Sequence, residues 1–175
     1  MVNVKLFEET LNEEKIYQGK FINLVKQKVK LPDGKESTRE IVRHPGAVAI
    51  LAFIDEDTII MVEQFRKPLD RILLEIPAGK LEKGEDIEKC GRRELEEETG
   101  YIAKDFTYLG KIATTPGFTD EYIYFYKAED LHKGKIGGDE DEFINVKKIS
   151  LNKVKEMIKS GEIIDGKTLA VFMLM

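Results

Sequence analysis

Between Gly79 and Tyr101 the chain reads GKLEKGEDIEKCGRRELEEETGY and gathers side chains able to bind cations: Glu94, Glu97 and Glu98, with Arg93 beside them and Glu85 upstream. Gly84, Glu85 and Asp86 form a helix start signal, the acids standing where the positive end of the helix favours them. Gly100 supplies a stop after Thr99. At about 100° per residue, Ile87, Cys90, Gly91, Glu94, Glu97 and Glu98 fall in one arc of that helix. The apolar stripe of the first turns is therefore expected to continue as carboxylates in the last turns. Glu97 and Glu98 lie three and four residues after Glu94, a spacing at which like charges repel by about 0.2–0.5 kcal/mol per pair. The helix dipole opposes acids at this end as well.

Carboxylates on a core-directed face are tolerated mainly when a cation compensates them. Three of them without thiolate or imidazole suit a hard ion such as Mg²⁺ or Mn²⁺. Magnesium usually keeps several waters and shares itself with substrate phosphates, so this face implies a phosphate-containing ligand. The alternative is a solvated face of a Glu-rich helix in a chain that is 35% charged. That alternative leaves unexplained why the acids continue the apolar stripe instead of opposing it.

These residues resemble the Nudix box, the signature of hydrolases that act on nucleoside diphosphates linked to another group. Gly79, Glu85, Arg93, Glu94, the aliphatic Leu95, Glu97, Glu98 and Gly100 all stand at the spacing of the box. Tyr101 departs from it at the closing aliphatic position, where packing is affected and the acids are not. The resemblance implies Glu94 and Glu98 as the main metal ligands, Glu97 beside them, and the backbone carbonyl of Ala78 completing the shell. It also implies that Arg93 orients the acids by ion pairing and that Glu85 stabilises the loop and helix, for instance through Arg93. Taken alone, Glu85 is equally a first-turn acid favoured by the dipole. Gly91 costs up to about 1 kcal/mol in a helix interior and is expected to let the helix pack closely on a sheet.

The box handles metal and water, so specificity must come from other segments. Pro116 and Gly117, in TTPGFTDE, stand fifteen and sixteen positions after Tyr101 and resemble the downstream proline motif of ADP-ribose pyrophosphatases, whose loop borders the substrate. A plain Pro-Gly turn is the other reading. GKFINL with Phe21, TREIVRHPGAVA with Arg39 and Glu40, and EQFRKPLD with Arg66 resemble further segments of those enzymes. There an aromatic and an Arg plane can sandwich an adenine, and Arg66 could fork onto a diphosphate. Phe21 could instead be a core aromatic, and Arg39 a solvated cation. GGDEDEFINV puts four acids behind two glycines, which suits a movable loop. By resemblance, Glu142 would be a further metal ligand or positioning acid and Glu140 the base that activates water; a solvated acidic turn is the alternative, and adjacent acids leave the assignment between the two open. The mechanism implied is metal-assisted in-line attack by water, with AMP and ribose 5-phosphate as products from ADP-ribose.

The chain has 175 residues, 42% of them hydrophobic, and a formal charge of −5, which is ordinary globular material. One Cys and two His exclude a disulfide framework and a Cys-rich metal site and suit a reducing compartment. The first residues lack an apolar signal region, and no run approaches the length of a membrane span, so a cytoplasmic protein with no membrane partner is expected. The acidic balance argues against nucleic acid as a partner. Strands are expected from Lys15 to His44 around a PDGK turn, then at Gly46–Ile54 and Thr58–Arg66, with LLEIPAG leading directly into the acidic helix. Further strands follow in DFTYLGKIA, TDEYIYFYKAED and EFINVKKI, then helices capped by Ser150 and in KTLAVFMLM. The fold class expected is α/β. By resemblance it is the Nudix fold, a mixed β-sheet between helices, with an N-terminal antiparallel β subdomain at 1–44 and a catalytic domain at 45–175. The resembling enzymes exchange the N-terminal part between subunits, so a homodimer is expected. Alternatives are a Nudix enzyme for another nucleoside diphosphate derivative, or a ligand-sensing module that has lost turnover, against which the intact Glu94, Glu97 and Glu98 argue.

Overall fold

The computed structural model describes residues 5–135, 137 and 143–175, and its contacts fall into two units. The first runs up to Gly46 and includes Ala113–Tyr122. It carries a three-stranded sheet in the order β1 (Glu9–Gln18), β2 (Asn23–Lys30), β3 (Glu36–Arg43), with both pairings antiparallel. The expected PDGK turn joins β2 to β3: the Leu31 N–H donates to Lys35 O at 2.7 Å, and Gly34 takes a φ of 86° that favours glycine. β1 begins six residues earlier than the alternation at Lys15 suggested. Every residue of β1 is exposed, so it has no hydrophobic face to advertise it. Pairing to β2 holds it, with Glu9 opposite Lys30 and Glu14 opposite Lys26.

The second unit, Ala47–Ile112 with Ile123–Met175, is built on a seven-stranded mixed sheet. Its strands are β4 (Ala47–Phe53), β5 (Thr58–Arg66), β6 (Arg71–Glu75), β7 (Ala78–Lys80), β8 (Tyr101–Ala113), β9 (Tyr122–Lys133) and β10 (Ile144–Ser150). The main order is β10-β5-β4-β9-β8, with β6 beside β5 and β7 beside β4; β4 and β9 are parallel. LLEIPAG thus contributes the end of one short strand and the start of another before the acidic helix, instead of leading straight into it. Strands of five and three residues, of which this segment holds three and two, are too short to show an alternation of their own.

The helices are α1 (Ile87–Thr99), α2 (Leu151–Ser160) and α3 (Gly166–Leu174). The apolar run of β4 is continuous because both of its faces are covered. Val48, Ile50 and Ala52 pack in one cluster with Cys90 and Leu95 of α1. Ala49, Leu51 and Phe53 pack in the other with Val154 of α2 and Val171 of α3. This is the expected sheet between helices.

Candidate active site

Helix α1 is fixed at both ends. The Asp86 side chain accepts from the Lys89 N–H, and Gly100 closes the helix in the left-handed conformation. Its buried residues are Cys90, Gly91, Leu95 and Thr99, so the apolar stripe continues through Leu95 and Thr99 and not as carboxylates. Glu94, Glu97 and Glu98 flank that stripe at intermediate exposure. The 100° step places Glu94 and Leu95 on adjacent rows, and only the tilt of the helix on the sheet decides which row is covered.

Gly91 explains how close that approach is: a Cβ there would come within 2.9 Å of Val48 and 3.0 Å of Phe106. Gly79, on β7, serves the site directly. A Cβ at Gly79 would lie 1.8 Å from the Glu94 carboxyl carbon, so the Glu94 carboxylate occupies space that only glycine leaves open. Next to it the Ala78 N–H donates to Glu98 Oε2 at 3.0 Å. β7 therefore lies against two of the three acids.

Arg93 is the hub that makes the acidic face tolerable. It grips Glu85 with two hydrogen bonds, Nε–Oε1 at 2.9 Å and Nη2–Oε2 at 3.0 Å. Its Nη1 donates to Glu94 at 2.8 Å and Glu97 at 2.9 Å. The paired hydrogen bonds from Arg93 hold the Glu85 carboxyl down to about 2, and the same bonds raise the Arg93 guanidinium above its ordinary value. Glu85, Glu94, Glu97 and Glu98 against one guanidinium leave a formal excess of three negative charges. The donors beside β7 are all oxygens, which suits a hard divalent cation. Among the described residues no three His, Cys, Asp or Glu side chains already converge on one point; Glu94 and Glu97 are turned to Arg93. Burial pushes the Cys90 thiol up to about 12, so it is a packing residue and not a nucleophile.

The other anticipated residues divide between the units. Arg66 belongs to the second unit, and its fork is closed on Glu75, at 2.8 and 2.6 Å. Phe21, Arg39, Glu40, Pro116 and Gly117 all belong to the first unit. Phe21 is not a core aromatic: it sits half-exposed in the turn after β1, with Lys20 Nζ 4.9 Å from its ring centre. Arg39 is paired with Glu8 and bonded to Ser37 and to the Thr38 carbonyl. Glu40 is exposed. Pro116 and Gly117 are exposed in a turn closed by Phe118 N–H to Thr115 O at 3.1 Å. β3 pins that turn, through Val42 N–H to Phe118 O at 2.7 Å and Arg43 to Asp120 at 3.0 Å.

Glu140 and Glu142 lie outside the described residues. Just before them, the Gly137 N–H donates to the Glu97 carbonyl at 3.2 Å, which brings Gly137 to the acidic helix. Sequence reasoning missed Glu75 and Lys167. An acid inside the apolar run ILLEIP was the available signal for Glu75; nothing local marked Lys167, 92 residues away.

The Nudix domain model matches residues 43–172, and the nucleoside diphosphate sugar hydrolase N-terminal domain model matches residues 8–42. The chain is 52% identical over 165 residues to the ADP-ribose pyrophosphatase of Bacillus subtilis, covering 93% of this chain and 89% of that one. It is 50% identical over 167 residues to the methanol dehydrogenase activator of Bacillus methanolicus, covering 94% and 90%. A GDP-mannose pyrophosphatase of Salmonella typhimurium is 36% identical over 146 residues, covering 74% and 76%. A crystal structure described as an ADP compounds hydrolase shares the fold, with a TM-score of 0.86 at 21% identity over 95% of this chain and 91% of that one. With the box residues gathered on α1 and β7 and the family model spanning most of its length, the chain belongs to the Nudix family of hydrolases.

Proposed function

We propose that this protein hydrolyses the diphosphate of ADP-ribose to AMP and ribose 5-phosphate, using Mg²⁺ or Mn²⁺. The 52% identity to an ADP-ribose pyrophosphatase along nearly the whole of both chains carries this reading, together with the complete acidic face. Glu94, Glu98 and the Ala78 carbonyl would hold the metal, with Glu97 and Glu142 beside them. When bound, a divalent cation neutralises the diphosphate and sets up the attacking water. Arg93 orients Glu94 and Glu97, and Glu85 steadies Arg93 from behind. Arg66 contacts the diphosphate, while Phe21, Arg39, Glu40, Pro116 and Gly117 border the nucleoside end. Glu140 takes the proton of the water, with Glu142 the alternative base. The enzyme works in the cytoplasm, in keeping with its single, buried thiol. No helix among the described residues is long and apolar enough to cross a membrane.

The test is a panel of ADP-ribose, GDP-mannose and other nucleoside diphosphate derivatives with each metal, the products separated by chromatography. ADP-ribose is expected to have the highest kcat/KM; little turnover of it beside strong turnover of another member reassigns the substrate. Glu98→Gln and Glu94→Gln should each lower kcat by orders of magnitude with the fold intact, since each change relieves like-charge repulsion. Glu140→Gln or Glu142→Gln should reduce kcat far more than affinity, and full activity in both would put the base elsewhere.

The 50% identity to a methanol dehydrogenase activator favours a second reading, in which the protein activates such a dehydrogenase. Adding it to a purified dehydrogenase assay, with and without Mg²⁺, tests this role, and a dehydrogenase rate unchanged by the addition removes it.

A further inference from the structure

Arg66 offers its fork to a diphosphate only if it can release the carboxylate that now fills it. That carboxylate, Glu75, is 1% exposed, and a buried charge stripped of its partner is strongly destabilising. A second cation reaches the same group. Lys167 Nζ donates to Glu75 Oε2 and to Asp165 Oδ1 at 3.2 Å. The start of α3 holds Lys167 in place: Asp165 accepts from the Thr168 N–H at 2.9 Å and from its hydroxyl at 2.6 Å. The Thr168 hydroxyl in turn accepts from the Ile76 N–H at 2.9 Å, beside Glu75 in the chain. Of the two cations, the Lys167 side chain is 10% exposed and the Arg66 side chain 39%, so Arg66 is the one with room to leave. Glu75 above all, and Asp165 and Glu98 to a smaller extent, raise the Arg66 guanidinium above its ordinary value. The influence of Glu98 puts Arg66 within electrostatic reach of the acidic face.

We propose that Lys167 is a stand-by counter-ion, keeping the buried Glu75 carboxylate paired when Arg66 turns its fork from Glu75 onto the diphosphate of the substrate. Lys167 is then a positioning residue that acts through Arg66 without touching substrate. The inference rests on Arg66 being the diphosphate contact.

Calorimetric titration with inorganic pyrophosphate in the presence of Mg²⁺ tests it on the whole protein and on Lys167→Met, Glu75→Gln, their double variant and Arg66→Ala. Lys167→Met is expected to weaken binding by about tenfold or more, because Glu75 then retains the fork. Glu75→Gln should bind at least as tightly as the parent, and the double variant should match Glu75→Gln, since a neutral residue 75 needs no counter-ion. Unchanged binding by Lys167→Met, with only its melting temperature lowered, overturns the proposal, as does a loss that persists in the double variant or an absence of binding by the parent. Should Lys167→Met not fold, Glu75→Gln decides alone: a loss as large as that of Arg66→Ala means that Glu75 fixes Arg66 in its working place, which also overturns it. Binding unaffected by Arg66→Ala removes the premise together with the proposal. Coupling between Lys167 and Glu75 in a protein that does not turn over ADP-ribose supports the proposal and removes only that substrate.

Discussion

At Gly79 a single methyl group would collide with the Glu94 carboxylate, at 1.8 Å. The obstructing atoms end a flexible side chain, so Gly79→Ala should fold, with a melting temperature within about 4 °C of the parent. Glu94 would be displaced, and kcat/KM should fall by about 100-fold, the usual consequence of misplacing a reacting group by about 1 Å. Normal turnover would mean that Glu94 need not lie against β7. Glu85 carries a second expectation. Its folded pKa of about 2 lies below the ordinary 4.5, so its stabilisation is complete above about pH 4.5 and is lost as pH falls toward 2. Glu85→Gln should therefore be less stable than the parent at neutral pH, by a margin that shrinks to nothing near pH 2 in urea titrations. A margin constant across that range would show that Arg93 does not depress Glu85.

At the scale of the element, α1 is positioned by what it lacks. Gly91 lets the helix approach Val48 and Phe106 closely, and Gly91→Val should cost about 1–3 kcal/mol through overpacking, offset by only a few tenths of a kcal/mol because valine suits a helix slightly better than glycine. Thermal unfolding measures this, and a neutral result would mean that the helix shifts outward without loss. The limits of α1 were legible because caps are local: Asp86, Gly100 and the periodicity between them are all in the segment. Its exact rotation was not legible, since Glu94 and Leu95 compete for one row and the sheet decides between them. β1 was half legible for a related reason: ETLNEE buries nothing, and only β2 makes it a strand.

At the scale of the molecule, the described residues of the first unit include few buried apolar ones, Val25 and Val29, while Ile16, Tyr17, Phe21 and Ile22 are exposed. Large apolar groups left in water on a small sheet favour a partner surface. We expect a homodimer whose N-terminal unit contributes Phe21 or Arg39 to the nucleoside end of a shared site. Mixing inactive Glu98→Gln subunits with subunits carrying Phe21→Ala and Arg39→Ala should raise activity above either parent, because some mixed dimers regain one intact site. A monomer by light scattering, or no rescue after proven subunit exchange, removes the idea.

The sequence by itself determined the box, the caps of α1, the two-sided burial of β4 and the α/β class, because each is written in residue types at short, fixed spacing. The pairing of Arg93 with Glu85, eight residues apart, was implied only by the resemblance to the box, since Glu85 taken alone reads equally as a first-turn acid, and the structure supplies the two hydrogen bonds. Only the tertiary structure decided that Glu94 lies where Gly79 has no side chain, that Glu98 meets the Ala78 N–H, and that the Arg66 fork is closed on Glu75 with Lys167 behind it. These contacts join residues brought together by sheet order and helix packing, and side chains many positions apart have no local periodicity through which to announce one another.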